Sequence, residues 1–212
     1  RVRKAIDRAV DSGIPVVATN ADIDGTKRTC CVGINNRKAA RIAGRLMGQF
    51  LGGTGKIAVV SSAIASENNN YYVQVRETEF ADFIHKEYPD IKIITTLDSF
   101  EDPQITYEKT VKLLRDYQDL QGIYITCGGV SQVGRALEES GRAKDIRVIS
   151  FEDYPEVVDL IRKDVIDCTL AGELQQQGEI PVQIIMDYLV FGKEPEQQQI
   201  FTDIRVLVKE SL

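Results

Sequence analysis

Apolar and polar positions along the chain follow two periods in turn. Val2, Ile6, Ala9 and Val10 share one face of a 3.6-residue repeat, and Gly13 follows as a helix C-terminal cap would. Ile14–Thr19 reads as a buried strand. A polar loop, 20–27, leads to a second apolar run at 29–34. Helical spacing resumes with Asn35 or Asn36 as its cap and stops after Leu51 at Gly52-Gly53. The remaining runs predict strands over 56–61, 91–97, 122–126, 146–151, 167–171 and 200–208. Between them lie a long helix after the loop 62–70, ended near Tyr88 by Pro89, and a helix opened by Asp102 or a neighbour and ending near Asp116. Three further helices are expected at 130–140, 155–163 and 175–189.

Strand and helix alternate throughout, and the strands are short apolar runs. That pattern predicts an α/β fold of parallel sheets flanked by helices. In such sheets ligands bind beyond the carboxyl ends of the strands. The segments at those ends are Asn20–Asp24, Ser61–Asn70, Asp98–Asp102, Cys127–Ser131, Glu152–Tyr154 and Gly172–Gln177. They are rich in Asn, Asp, Glu and Gln, with Tyr71, Tyr72, Phe100, Phe151 and Tyr154 close by. Amides and carboxylates pair with hydroxyls, and aromatic faces cover the apolar side of a ring. The chemistry suits an uncharged polyol or sugar better than a phosphate.

Composition narrows the class. The chain has 212 residues, 43% hydrophobic and 27% charged, as in ordinary globular proteins. Its formal net charge is -6 and its pI about 5.0, so it carries no overall basic field for nucleic acid. No apolar run approaches the ~18 residues of a membrane span, so no membrane partner is expected. The first residues are charged and amphipathic, unlike a secretory signal core, so a signal peptide is either removed or was never present. Four cysteines without a CxxC pair are read as reduced thiols of a cytoplasmic protein; the neighbours Cys30 and Cys31 would point to opposite faces of a strand.

Catalytic signatures are missing. The single histidine, His85, lies within a helix, which leaves no zinc set or Ser-His-Asp triad. Gly52-Gly53-Thr54-Gly55-Lys56 resembles a phosphate loop, but Ile57 follows the lysine and a strand begins there, so a helix cap and turn is expected. The pairs Glu101-Asp102 and Glu152-Asp153 follow strands and are open to acid–base work, to capping or to hydroxyl binding. The expectation is a non-enzymatic binding domain with no cofactor and no metal.

Several motifs in order then resemble one family. Gly13-Ile14-Pro15-Val16-Val17 with Asn20, then Asn35-Asn36, is similar to the strand, loop and return of the type I periplasmic-binding-protein fold. Arg76-Glu77-Thr78-Glu79-Phe80 resembles the family's Arg-x-x-Gly-Phe, with Glu79 where Gly is usual. Tyr88-Pro89-Asp90-Ile91, Leu120-Gln121-Gly122-Ile123-Tyr124 leading to Gly128-Gly129, Arg147-Val148-Ile149-Ser150-Phe151-Glu152, and Gln177-Gly178 complete the set. The segments Asn20–Arg28, Gly128-Gly129-Val130 and Phe201–Ile204 look more like effector domains of LacI-type repressors. The alternative is a periplasmic sugar-binding protein of an ABC transporter.

The resemblance implies two lobes joined by three crossing segments. Residues 35–172 with 204–212 would form the carboxyl-terminal lobe, and 1–34 with 173–203 an incomplete amino-terminal lobe. A small sugar or polyol effector would close the lobes and reset the spacing of DNA-binding heads across a homodimer. Operator DNA would be touched only through a head absent from this sequence. The implied ligand-binding residues are Asn20, Asp22, Asn70, Tyr72, Arg76, Cys127, Glu152 and Glu173. Asn20 stands where the family has a ligand-binding Asp, and Arg76 where an Arg bonds ring oxygens; a salt bridge to Glu77, Glu79 or Asp102 is the other reading of Arg76. Cys127 takes a position often held by Asn. Glu152 replaces an Asp that accepts two hydroxyls, and a cap ahead of Pro155 is its other reading. Gly172 or Glu173 stands where Gln is common.

Overall fold

A computed structural model describes residues 2–23, 25–62, 71–100 and 102–212. In chain order its elements are α1 (Val2–Asp11), β1 (Val17–Thr19), β2 (Cys30–Ile34), α2 (Asn36–Phe50), β3 (Thr54–Ser61), α3 (Tyr71–Glu87), β4 (Asp90–Asp98) and α4 (Pro103–Asp116). Then come β5 (Gly122–Ile125), α5 (Val130–Ser140), β6 (Arg147–Phe151), α6 (Pro155–Arg162), β7 (Cys168–Gly172), α7 (Leu174–Phe191), β8 (Gln199–Thr202) and β9 (Ile204–Leu207). They build a three-stranded sheet ordered β1-β2-β8 and a six-stranded sheet ordered β4-β3-β5-β6-β7-β9. The pairings β1/β2, β2/β8, β3/β4, β3/β5, β5/β6 and β6/β7 are parallel. The chain divides into two compact units, residues 1–35 with 172–205 and residues 36–171 with 206–212.

The larger unit has a sheet covered on both faces. Ile123 and Ile125 of β5 point to one side, where Val60, Val148, Leu113, Leu137 and Leu160 share a buried core with them. Tyr124, between them, points to the other side and stacks on Phe80 of α3, ring centroids 3.9 Å apart and 17° from coplanar. β3 leaves the sheet to β4 on one side and β5 on the other, so the strand order reverses between β3 and β5. Such a switch point opens a crevice at the carboxyl ends of the strands.

In the smaller unit β2 is buried along its whole length, while α1 buries none of its residues. Its end is nonetheless well defined: Gly13 has φ 81, its N–H donates to Val10 and that of Ile14 to Ala9, the paired bonds of a Schellman cap. α7 buries only Gln177 and Pro181 and leaves Val182, Met186, Leu189, Val190 and Phe191 exposed.

Two strand expectations need correction. The first strand is shorter than 14–19 because Ile14 belongs to the helix cap and stays 57% exposed. The run 200–208 is not one strand: β8 pairs with β2, whereas β9 lies at the edge of the large sheet. Asp203 marks the break, its N–H donating to Gln176 Oε1 and its carbonyl accepting from Glu173 N.

Candidate functional site

The carboxyl ends of β3, β4, β5 and β6 bring Ser61, Ser99, Thr126–Gly129 and Glu152 to one edge of the large sheet. A concavity of about 540 Å³ lies there, lined among others by Arg76, Cys127, Gly128, Phe151, Glu152 and Tyr154. That volume falls within the ~300–1,000 Å³ of small-molecule sites. A wider hollow of about 800 Å³ sits at the opposite ends of the strands, and several of its charges are committed. There Lys56 pairs with Asp119, and Arg142 donates to the carbonyls of Leu114, Tyr117, Gln118 and Leu120.

Arg76 organises the concavity. Val73, Phe80 and Ile84 form the buried face of α3, and Arg76 follows Val73 by three residues, so its side chain enters on the same face. Nε donates to Asn36 Oδ1 at 2.7 Å, Nη1 to the carbonyl of Thr126 at 3.2 Å and Nη2 to Glu152 Oε1 at 3.4 Å. The guanidinium lies over the Phe151 ring, 3.9 Å from its centroid. Burial lowers its pKa from the ordinary value, and the Glu152 carboxylate opposes that shift. An arginine so placed stays charged.

Glu152 has φ 70, in the left-handed region that a side chain seldom adopts. Its backbone is fixed on both sides: N–H donates to Leu170 at 2.9 Å, and the carbonyl accepts from Thr169 Oγ1 at 2.7 Å. The twist turns its carboxylate toward Arg76, and the side chain remains 32% exposed. The capping role does not hold, since Tyr154 occupies the N-cap position of α6 and no side-chain cap bond is made there. Nor does Arg76 pair with Glu79, which is taken by Arg37 and Arg41.

Cys127 is buried beside Val73, its Sγ 3.3 Å from Ser99 Oγ and 3.3 Å from the Gly128 carbonyl. Arg76, Cys127 and Glu152 therefore line one pocket. Tyr72 sits on the first turn of α3, edge-on to Tyr71 with ring centroids 5.6 Å apart. Asn70 lies outside the described residues. Asn20, Asp22 and Glu173 belong to the smaller unit. Asn20 has φ 62 and donates its N–H to Val32. Asp22 engages Arg28 through both carboxylate oxygens, a structural ion pair. Glu173 precedes α7 and pairs with Arg205 at 3.3 Å.

Of the polar residues around the pocket, Asn36 and Thr126 escape sequence reasoning as partners of Arg76, whereas Ser99 falls within the strand-end segment Asp98–Asp102. Asn36 is legible only as a helix cap, yet its buried amide holds the guanidinium. Thr126 offers a main-chain carbonyl, which no side-chain pattern reveals. Ser99 faces the Cys127 thiol. The one available signal is that all three stand within two residues of the end of a strand. Among the described residues no group of three or more His, Cys, Asp or Glu could hold a metal ion. No helix there is long and apolar enough to cross a membrane.

A family model described as a periplasmic binding protein domain matches residues 1–194. The chain belongs to this family. The periplasmic-binding-protein fold is equally clear in solved structures. The sugar-binding protein of a sugar ABC transporter from Bacillus halodurans is 28% identical, with a TM-score of 0.89 over 99% of this chain and 73% of that one. An arabinose-binding protein from Geobacillus stearothermophilus is 26% identical, with a TM-score of 0.85 over 98% and 72%. A glucose-galactose-binding protein from the same organism shares the fold at 24% identity, TM-score 0.88, over 99% and 73%. Members of this family are binding proteins.

Proposed function

We propose that the chain is the carbohydrate-binding protein of a sugar transport system, holding a small neutral sugar at the Arg76–Glu152 pocket. The observation that carries the reading is the state of that pair. Of the five N–H groups of the guanidinium, three are used by Asn36, Thr126 and Glu152, which leaves two. One oxygen of Glu152 also remains beyond its bond to Arg76. Two donors beside one acceptor match adjacent hydroxyls of a sugar, and the pair is neutral as a whole, so it does not call for an anion. The exposed ring of Tyr154 borders the same pocket and offers a face to a sugar ring. No reaction follows binding: the thiol of Cys127 and the hydroxyl of Ser99 have no histidine near them, since His85 sits in the last turn of α3.

The binding protein of a sugar ABC transporter and the arabinose-binding protein among the similar structures favour this reading over a repressor. The expectation of a repressor leaned on residues 20–28, 128–130 and 201–204: Asp22 is tied to Arg28, Gly128, Gly129 and Val130 line the pocket itself, and 201–204 spans the break between β8 and β9. It leaned also on unpaired cysteines as a cytoplasmic sign. All four are free and buried, and a buried free thiol packs as a small hydrophobe, so these cysteines do not decide the compartment. Work outside the cytoplasm, ahead of a membrane transporter, fits the relatives. A homodimer and operator DNA form no part of this reading. Calorimetric titration with a panel of neutral pentoses and hexoses tests it. Heat of binding together with a raised melting temperature for at least one sugar is expected; no heat and no shift across the panel would overturn it.

A further inference from the structure

Glu152 holds its carboxylate at Arg76 from a backbone that side chains rarely adopt, with φ 70. A left-handed residue other than glycine persists only where its surroundings over-determine it. Two bonds do so here. The N–H donates to the Leu170 carbonyl at 2.9 Å, which extends the pairing of β6 with β7 by one residue. The carbonyl accepts from a side chain, Thr169 Oγ1, at 2.7 Å. Thr169 lies on β7 and is 0% exposed, in a strand otherwise built of Cys168, Leu170, Ala171 and Gly172. A hydroxyl buried so deeply is costly unless it is bonded, and valine has the same branched shape without one. Thr169 stands opposite Ser150 across the β6/β7 ladder, and the buried Ser150 hydroxyl has no hydrogen-bond partner among the described residues. The Thr169 hydroxyl therefore serves the Glu152 carbonyl and leaves its cross-strand neighbour unserved.

We infer that Thr169 is a positioning residue for ligand binding: by fixing the Glu152 carbonyl it keeps the left-handed turn, and so the carboxylate, where Arg76 and a sugar hydroxyl meet it. This inference rests on the carbohydrate-binding reading above and adds to it a residue behind the pocket wall. Thr169 is not among the described residues that line the pocket, so it acts on a ligand only through Glu152. Without its hydroxyl the Glu152 carbonyl loses a donor, the backbone is free to relax toward an extended conformation, and the side chain swings away from the guanidinium.

The test is calorimetry on the full chain with D-glucose, D-galactose, L-arabinose, D-xylose and D-ribose, the tightest binder then serving as probe for the variants. Thr169→Val is expected to weaken that sugar about fivefold, the worth of one neutral hydrogen bond, and Thr169→Ser, which keeps the hydroxyl, to bind as the unaltered protein does. Glu152→Gly is the control background. Glycine adopts this backbone without strain and brings no carboxylate, so adding Thr169→Val there should leave affinity unchanged. A reading without ligand accompanies these: hydrogen exchange of the Glu152 main-chain N–H, followed by NMR, should quicken in Thr169→Val while the amides of β5 keep their rates. An equal loss of affinity in both backgrounds would mean that Thr169 only supports the fold. Unchanged affinity and exchange in Thr169→Val would mean that Glu152 keeps its place unaided. Either result overturns the inference and leaves sugar binding standing. No binding of any of the five sugars by the unaltered protein overturns the carbohydrate reading and this inference with it.

Discussion

Replacing Arg76 by methionine separates the two roles of this side chain. The change keeps most of the aliphatic stem and removes the guanidinium. Asn36, only 6% exposed, loses the donor to its Oδ1, and the Thr126 carbonyl loses another. An unsatisfied buried polar group costs about 1–3 kcal/mol. Against this, a buried charge is no longer desolvated, which returns part of the loss. Glu152 adds little to the balance, because its one-third exposed carboxylate can be rehydrated and its 3.4 Å contact is long for an ion pair. A net destabilisation of about 1–3 kcal/mol should appear in urea unfolding. Glu152→Gln should move stability by less than about 0.5 kcal/mol. Binding should respond differently. Arg76→Met removes two ligand donors and is expected to weaken the best-bound sugar by about 100-fold or more, and Glu152→Gln by about tenfold, since hydrogen bonds to charged groups are worth about 1.5–3 kcal/mol each. Unchanged affinity in Glu152→Gln would refute the placement of the ligand at this pair. Unchanged stability in Arg76→Met would refute the claim that Asn36 depends on the guanidinium.

Other expectations concern the fold around the site. Gly122→Ala would set a Cβ 2.7 Å from Met47 Sδ and 2.8 Å from Ile57 Cγ2, both fully buried, so overpacking of about 1–3 kcal/mol should lower the melting temperature. Wild-type melting would contradict that packing. Asp102 caps α4 by accepting from Ile105 N at 2.8 Å, and Asp102→Ala should cost about 1 kcal/mol in urea unfolding. Alkaline pH should destabilise the chain. Burial pushes the Cys168 thiol up to about 12, so above the ordinary thiol value of about 8.5 the unfolded chain releases a proton that the folded one retains. Stability therefore falls as pH rises from about 8.5 toward 12, and the slope should be shallower in Cys168→Ala; equal slopes would rule out this thiol as a cause.

Much of the fold is legible because burial on both faces leaves uninterrupted apolar runs. β2, β5 and β7 are buried at every position, and each was readable within two residues of its ends. α5 was readable at both ends because Gly129 and Gly141, both with positive φ, bracket it. Legibility failed where one apolar run serves two sheets. Residues 200–208 look continuous, and only the tertiary bonds of Asp203 to Gln176 and Glu173 divide them. Periodicity records that a residue is buried, but not which sheet buries it.

The site divides the same way. Arg76 could be singled out because Arg76–Phe80 resembles the family's Arg-x-x-Gly-Phe, yet the sequence offered Glu77, Glu79 and Asp102 as nearer candidates than Glu152, 76 residues away. The structure decides by geometry: Glu79 turns to α2, Asp102 caps α4, and the left-handed backbone at Glu152 swings its carboxylate to the guanidinium. Cys127 shows the converse. As a sequence feature it weakens the likeness to sugar binders, because a thiol replaces an amide that would bond a hydroxyl. In the structure the thiol sits beside Val73 and Ser99 and lines the same pocket as Arg76 and Glu152.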